Sequence, residues 1–255
     1  RKKEDDEPAI DLSLGYTRLN EFKEYLLQAN YVLFEKEYEK LDWDAKTLLN
    51  EGIGLDKSFA YIIEKWAKQN PGSYIARLFA GVSCTGLAWI ARSAAAGKDV
   101  SASRAESFLE LLEAAAAHLK AADELNAEDA EICARTIRVY MGLGVEKETV
   151  SGFFDAATDI EPNHLMAHLM MINYLTPKRR GSIEEMYEFA NRRYEEAGSS
   201  LLVVLILFAI TEEWKYYDMM DEKKKVVAFF KNGESKSVVM DLYAGYTEED
   251  EGKLL

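Results

Sequence analysis

Two cysteines, four prolines and three histidines in 255 residues leave little material for several kinds of chemistry. Cys84 and Cys133 both stand in apolar, helical patterns, so no disulfide framework holds the chain together, and two reduced thiols suit a cytoplasm. A leader removed ahead of the charged residues 1–7 would place it in the periplasm instead. Proline at 4 in 255, against a usual ~5%, excludes collagen-like and linker-rich chains and disfavours a many-turned β architecture. The longest uninterrupted apolar run, residues 201–210, is too short to cross a ~30 Å hydrocarbon layer at ~1.5 Å per residue, so no membrane span is expected. There is no Gly-rich phosphate loop, dinucleotide fingerprint, Ser-His-Asp set or Cys/His metal cluster at mechanistic spacing, and no cofactor is expected. Basic residues are the minority, with 31 Lys+Arg against 45 Asp+Glu and a net charge of −14. That balance argues against wrapping a phosphate backbone, which draws on Lys and Arg to displace counterions, and favours a basic partner.

What the chain does have is apolar residues, 48% of the total, at three- and four-residue steps, which predicts an all-α fold with roughly 70–75% helix. Residues 1–13 are charged and aperiodic and read as a solvated tail; 14–231 read as one α-helical domain and 232–255 as an extension that frays toward its acidic end. Leu19, Phe22, Leu26, Leu33, Tyr38 and Leu41 predict one N-terminal helix of about 25 residues. A short helix over 43–50 and another over 55–69 follow, the latter stopped by Asn70-Pro71-Gly72. Two long helices come next, 73–95 and 103–125, the second opened by a Ser103/Glu106 capping box. Beyond Asn126 the helices become regular: 130–142, 149–160, 164–175, 182–197 with a second capping box at Ser182/Glu185, 201–217 and 222–230.

The helix stops at Ala127, Pro162 and Gly198 stand 35 and 36 residues apart, and each interval holds two helices and a short turn. The second helix of each unit carries Ala115, Leu119 and Ala122, then Val150, Phe154 and Ala157, then Met186, Ala190 and Arg193. This array resembles the tetratricopeptide repeat (TPR), with Val150, Phe154, Ala157 and Pro162 matching best, while Cys133, Ile137, His168 and Ile172 replace the Trp and Gly of its first helix. The resemblance implies a right-handed helical-hairpin (TPR-like) solenoid with extra N-terminal helices and two lengthened helices. In such a solenoid first helices line a concave groove, which carries over Leu78 and Val82, Arg138, then Met166, Leu169 and Asn173 as partner contacts. Residues 16–214 are also similar to an uncharacterised bacterial family built on such repeats, through Ala76-Arg77-Leu78, Leu87-Ala88-Trp89 with Arg92, Gly142-Leu143-Gly144 and Tyr174-Leu175-Thr176-Pro177-Lys178 with Gly181 to Met186. That family has no assigned activity, so it implies a fold and adds no catalytic residue.

Three groups could carry chemistry. His164 and His168, four apart, share a helical face and could chelate a metal, but a tetrahedral site needs two further ligands and none is in view, so they read as packing. Lys178, Arg179 and Arg180 form a basic turn ahead of a helix N-terminus, where an anion is favoured, unless Glu184 and Glu185 answer the charge. The acid pairs Glu184-Glu185, Glu195-Glu196 and Glu212-Glu213 are adjacent and so diverge on a helix, which disfavours acid/base work. Tyr216-Tyr217 and Met219-Met220 read as a packing face. The expected function is a non-enzymatic scaffold binding a protein or peptide in its groove. The alternatives are an enzyme or metal protein using the His pair or the basic turn, and an oligomerisation module.

Overall fold

The computed structural model describes residues 16–92, 102–197, 202–231 and 240. Helix accounts for 81% of the described residues, and no strand occurs among them. The chain forms two compact units, Arg1–Ala127 and Glu128–Leu255, so the block expected over 14–231 spans both. The expected tails 1–13 and 232–255 (Met240 apart), the end of the 73–95 helix and its loop, and the stop at Gly198 lie outside the described residues.

In the first unit the single N-terminal helix expected from periodicity is two helices, α1 (Leu19–Leu27) and α2 (Tyr31–Tyr38). Ala29 takes φ 53° and Asn30 caps α2 by accepting the Leu33 N–H. The break folds the apolar stripe on itself and brings the Phe22 and Phe34 rings to 5.0 Å, edge to face, an arrangement a continuous helix cannot make. Asp42 caps α3 (Trp43–Leu49), which runs on into a π-helical turn, Asn50–Gly54. A tight turn, Lys57–Phe59, leads into α4 (Ala60–Gln69), which ends just before Pro71. The Ser73 hydroxyl caps α5 (Tyr74–Arg92) by accepting the Ala76 N–H while donating to Glu35.

α5 packs along α6 (Ala102–Leu125), and Gly81 leaves room for that contact, since a Cβ there would stand 2.7 Å from Leu119 Cγ. α6 already includes Ala102, so Ser103, expected to open this helix, lies inside it. The core is aromatic, with Phe79 meeting Phe34, Tyr38 and Trp66 at 5.2, 5.7 and 5.9 Å. By length and composition alone α5 is apolar enough to cross a bilayer, and 61% of that stretch is buried in the unit. Single polar residues such as Ser83 and Thr85 interrupt its apolar runs, which is why run length alone passes it over.

The second unit is a series of helical hairpins. α7 (Ala130–Leu143) is capped by Asp129, which accepts the Glu131 N–H, and ends at Gly144 in the left-handed conformation at φ 71°. α8 (Lys147–Ile160) stops before Pro162. His164 Nδ1 accepts the Ala167 N–H to cap α9 (Leu165–Tyr174), and Ser182 Oγ accepts the Glu185 N–H to cap α10 (Ile183–Ala197). α11 (Val203–Met219) and α12 (Lys223–Lys231) complete the described helices. α7 packs against α8 and α9, α9 against α10 and α11, and α10 against α11.

Candidate functional site

Among the described residues of the second unit, buried charge is concentrated at the start of α7. Glu131 and Arg135 are one helical turn apart, and both Arg135 Nε and Nη2 reach Glu131 Oε2, at 2.9 and 2.8 Å. His164, at the start of α9, brings Nε2 to 3.3 Å from Glu131 Oε1. The side chains of Glu131 and His164 are fully buried, and that of Arg135 is 3% exposed. Since His164 Nδ1 accepts a backbone N–H, the ring proton of its neutral form sits on Nε2, toward the carboxylate. Both imidazole nitrogens are thereby engaged, Nδ1 in capping α9 and Nε2 in joining α9 to α7. A general base needs a free lone pair facing a substrate, and this ring is turned inward.

His168, one turn further on, packs its ring edge to face on Phe154 at 5.1 Å and beside Phe189 at 6.3 Å. Its Nδ1 lies 3.0 Å from the His164 carbonyl oxygen. Burial, with the Arg193 charge adding to it, pushes its pKa down to about 4, so at neutral pH it carries no charge. The pair therefore supports packing through one ring and an internal polar contact through the other. Among the described residues no three His, Cys, Asp or Glu side chains are grouped so as to hold a metal ion. In the first unit burial, with the Glu64 charge second, pushes the Cys84 thiol up to about 11 and keeps it protonated.

The basic turn is answered by acids, though not by Glu184 and Glu185. Lys178 pairs with Glu212 on α11, and Lys215 approaches the same carboxylate at 3.0 Å. Burial raises the Glu212 pKa, but the hydrogen bonds and charges of the two lysines outweigh it and hold the carboxyl below its ordinary value. Arg180 donates to the Gly144 carbonyl oxygen at 2.7 Å and lies 3.5 Å from Glu146, while Glu185 pairs with Lys147 instead. Gly181 closes the turn so tightly that a Cβ there would fall 2.1 Å from the Leu175 carbonyl oxygen. The turn thus ties α9 to α7 and α11 through Lys178 and Arg180.

The expected groove residues divide by burial. Leu78 and Val82 are 0% and 1% exposed in the core of the first unit, and Met166 is 7% exposed in the second. These three present no side chain to a partner, because α4, the Asn50–Gly54 turn and α6 cover α5, and α7 packs against α9. Arg138, Leu169 and Asn173 are half-buried, on α7 and α9. A cleft of about 230 Å³ opens elsewhere in this unit, between α8 and α10, over Phe154, Phe189, Met171 and Leu175, with Arg192 and Arg193 on its rim. The TPR-type pattern had placed Phe154 and Arg193 in its packing positions, so nothing in it marked this cleft.

Among known proteins, no curated protein and no solved structure matches. The model of a family described as a domain of unknown function (DUF4034) matches residues 13–149. The matched stretch takes in the first unit from its first described residue, all of α7 and the opening of α8, and it contains Ala76-Arg77-Leu78, Leu87-Ala88-Trp89 and Gly142-Leu143-Gly144. The motifs around Pro177 and Gly181 lie beyond it. Over half its length, then, the chain is a member of the DUF4034 family, a family without an assigned activity.

Proposed function

We propose that this protein is a non-enzymatic interaction scaffold whose second unit is a TPR-like hairpin array that holds an extended or helical segment of a protein partner. The observation that carries the reading is the packing order: α9 lies between α7 and α11, and α8 and α10 flank it as the return helices. A right-handed solenoid built that way lines one face with its first helices. Arg138, Leu169 and Asn173 stand half-buried on two of them. Leu169 would supply the apolar contact, and Arg138 and Asn173 would fix orientation through hydrogen bonds. The acidic balance of the chain, −14, favours a basic segment. Supporting this over catalysis, the His164 nitrogens, Lys178 and Arg180 are all engaged inside the unit.

The test is co-purification from the native host with the wild-type chain and with Leu169→Asp and Asn173→Ala, read by mass spectrometry and paired with thermal melts. A partner captured by wild type and lost from both variants, with unchanged melts, is the expected result. Capture that both variants retain in full would move the binding surface off α9 and overturn the assignment.

A further inference from the structure

We propose that the cleft between α8 and α10 is a binding site for a small carboxylate with an apolar body, held by Arg193 with Arg192. The site is separate from the α7–α9 surface assigned to a partner and does not depend on that assignment. Four apolar side chains, Phe154, Phe189, Met171 and Leu175, belong to the cleft lining, and the first two are 2% and 4% exposed. At about 230 Å³ the cleft falls below the ~300–1,000 Å³ of sites for drug-sized ligands, which limits its occupant to a fragment-sized molecule.

The charge placement selects the sign of that molecule. The Arg193 guanidinium lies 4.9 Å from the Phe154 ring centre and 5.6 Å from that of Phe189, so it is held over the apolar lining and not swung into solvent. Its Nε is shielded and has no hydrogen-bond partner among the described residues. Its ion pair is with Glu196, a carboxylate 54% exposed at the end of α10, and such a surface pair is weak and easily exchanged. His168, against the same two rings, is neutral and adds no competing charge. At the opposite end of the cleft Lys147 and Glu185 neutralise each other. Asp155 and Glu188 on the rim disfavour a second negative charge, which points to a monocarboxylate and away from a phosphate. The planar guanidinium carries a fork of N–H donors whose geometry the two oxygens of a carboxylate match.

Phenylacetate is the probe, with phenylethylamine carrying the same body and the opposite charge, and acetate carrying the charge without the body. Titration of the full chain by isothermal calorimetry should give saturable binding of phenylacetate and none of the other two. Arg193→Gln should weaken it by about tenfold or more, and Arg192→Gln by less, because the first removes the charge over the rings and the second a rim charge. Should Arg193→Gln fail to fold, the methyl resonance of Met171 in the wild-type chain decides: it should move on titration with phenylacetate. Equal binding of phenylethylamine, binding unchanged in Arg192→Gln and Arg193→Gln alike, or a Met171 methyl that stays still would each overturn the proposal.

Discussion

His164 Nε2 lies 3.3 Å from Glu131 Oε1 with both side chains fully buried, so the start of α9 is joined to the start of α7 through a carboxylate that also holds Arg135. Taking such charges out of water is costly, and the arrangement is stable only while each has its counterpart. Glu131→Ala removes the counterpart of a guanidinium that is 3% exposed, and the chain should lose about 3–5 kcal/mol in chemical denaturation. Replacing Glu131 and Arg135 together by Met should cost clearly less than the single change, since an apolar pair of similar volume leaves no charge stranded. Equal losses in the single and double variants would show that the pair contributes only packing.

His168 makes stability depend on pH. Its folded pKa of about 4 lies below the unfolded value of 6.5, so the unfolded chain binds the proton more readily. The stabilisation is fully present above pH 6.5 and is lost as pH falls from 6.5 toward 4, by about 3 kcal/mol over the window. His168→Phe keeps a ring against Phe154 and Phe189 and removes the titration. Urea midpoints measured between pH 7 and pH 4 should fall less steeply in that variant than in the wild-type chain; parallel slopes would contradict the assignment.

Much of the second unit was legible because its helix ends are decided locally. Asp129, Pro162 and Ser182 act within a few residues of themselves, and the expected start at 130, end at 160 and start at 182 differ from the observed ones by at most one residue. The α1–α2 break was not legible, because Leu19, Phe22, Leu26, Leu33 and Tyr38 satisfy a continuous 3.6-residue period. The chain turns at Ala29 because Phe22 and Phe34 gain more by meeting than a longer helix would, a tertiary effect no local spacing carries. The site shows the same division. Glu131 and Arg135 at i, i+4 look like a surface ion pair, and only the packing reveals that they are buried. The basic turn was matched to Glu184 and Glu185 nearby, whereas Glu212 and Glu146 answer it from 34 residues in either direction, about one repeat away.

Gly81 lets α5 and α6 pack closely, because a Cβ at this position would stand where the Leu119 side chain already is. Alanine gains about 1 kcal/mol of helix propensity there, but its methyl would fall 2.7 Å from Leu119 Cγ in a side chain that is 1% exposed. Overpacking of this kind costs about 1–3 kcal/mol, so Gly81→Ala should lower stability on balance. Leu119→Ala costs stability of its own by emptying a buried site, but the double variant should lose less than the two single losses added together, a favourable coupling in a double-mutant cycle. Additive losses would mean the two helices are not limited by this contact.

Lys178 and Glu212 tie the turn after α9 to α11, and the carboxylate side chain is 6% exposed while Lys178 is 38% exposed. Lys178→Met removes one of two ammonium groups holding Glu212 ionised, and because the lysine is partly in water the loss at pH 7 should be modest, about 1 kcal/mol. The pH dependence separates charge from packing. Glu212 has its folded pKa held below the unfolded 4.5, so its stabilisation is present above pH 4.5 and disappears as pH falls through the folded value. In Lys178→Met that folded value should rise toward 4.5, and the gap in stability between variant and wild type should narrow as both carboxyls protonate. Denaturation series at pH 7 and at pH 3 measure this directly: a gap that stays constant would mean that Lys178 acts through its aliphatic stem, and a gap that closes assigns its effect to the charge on Glu212.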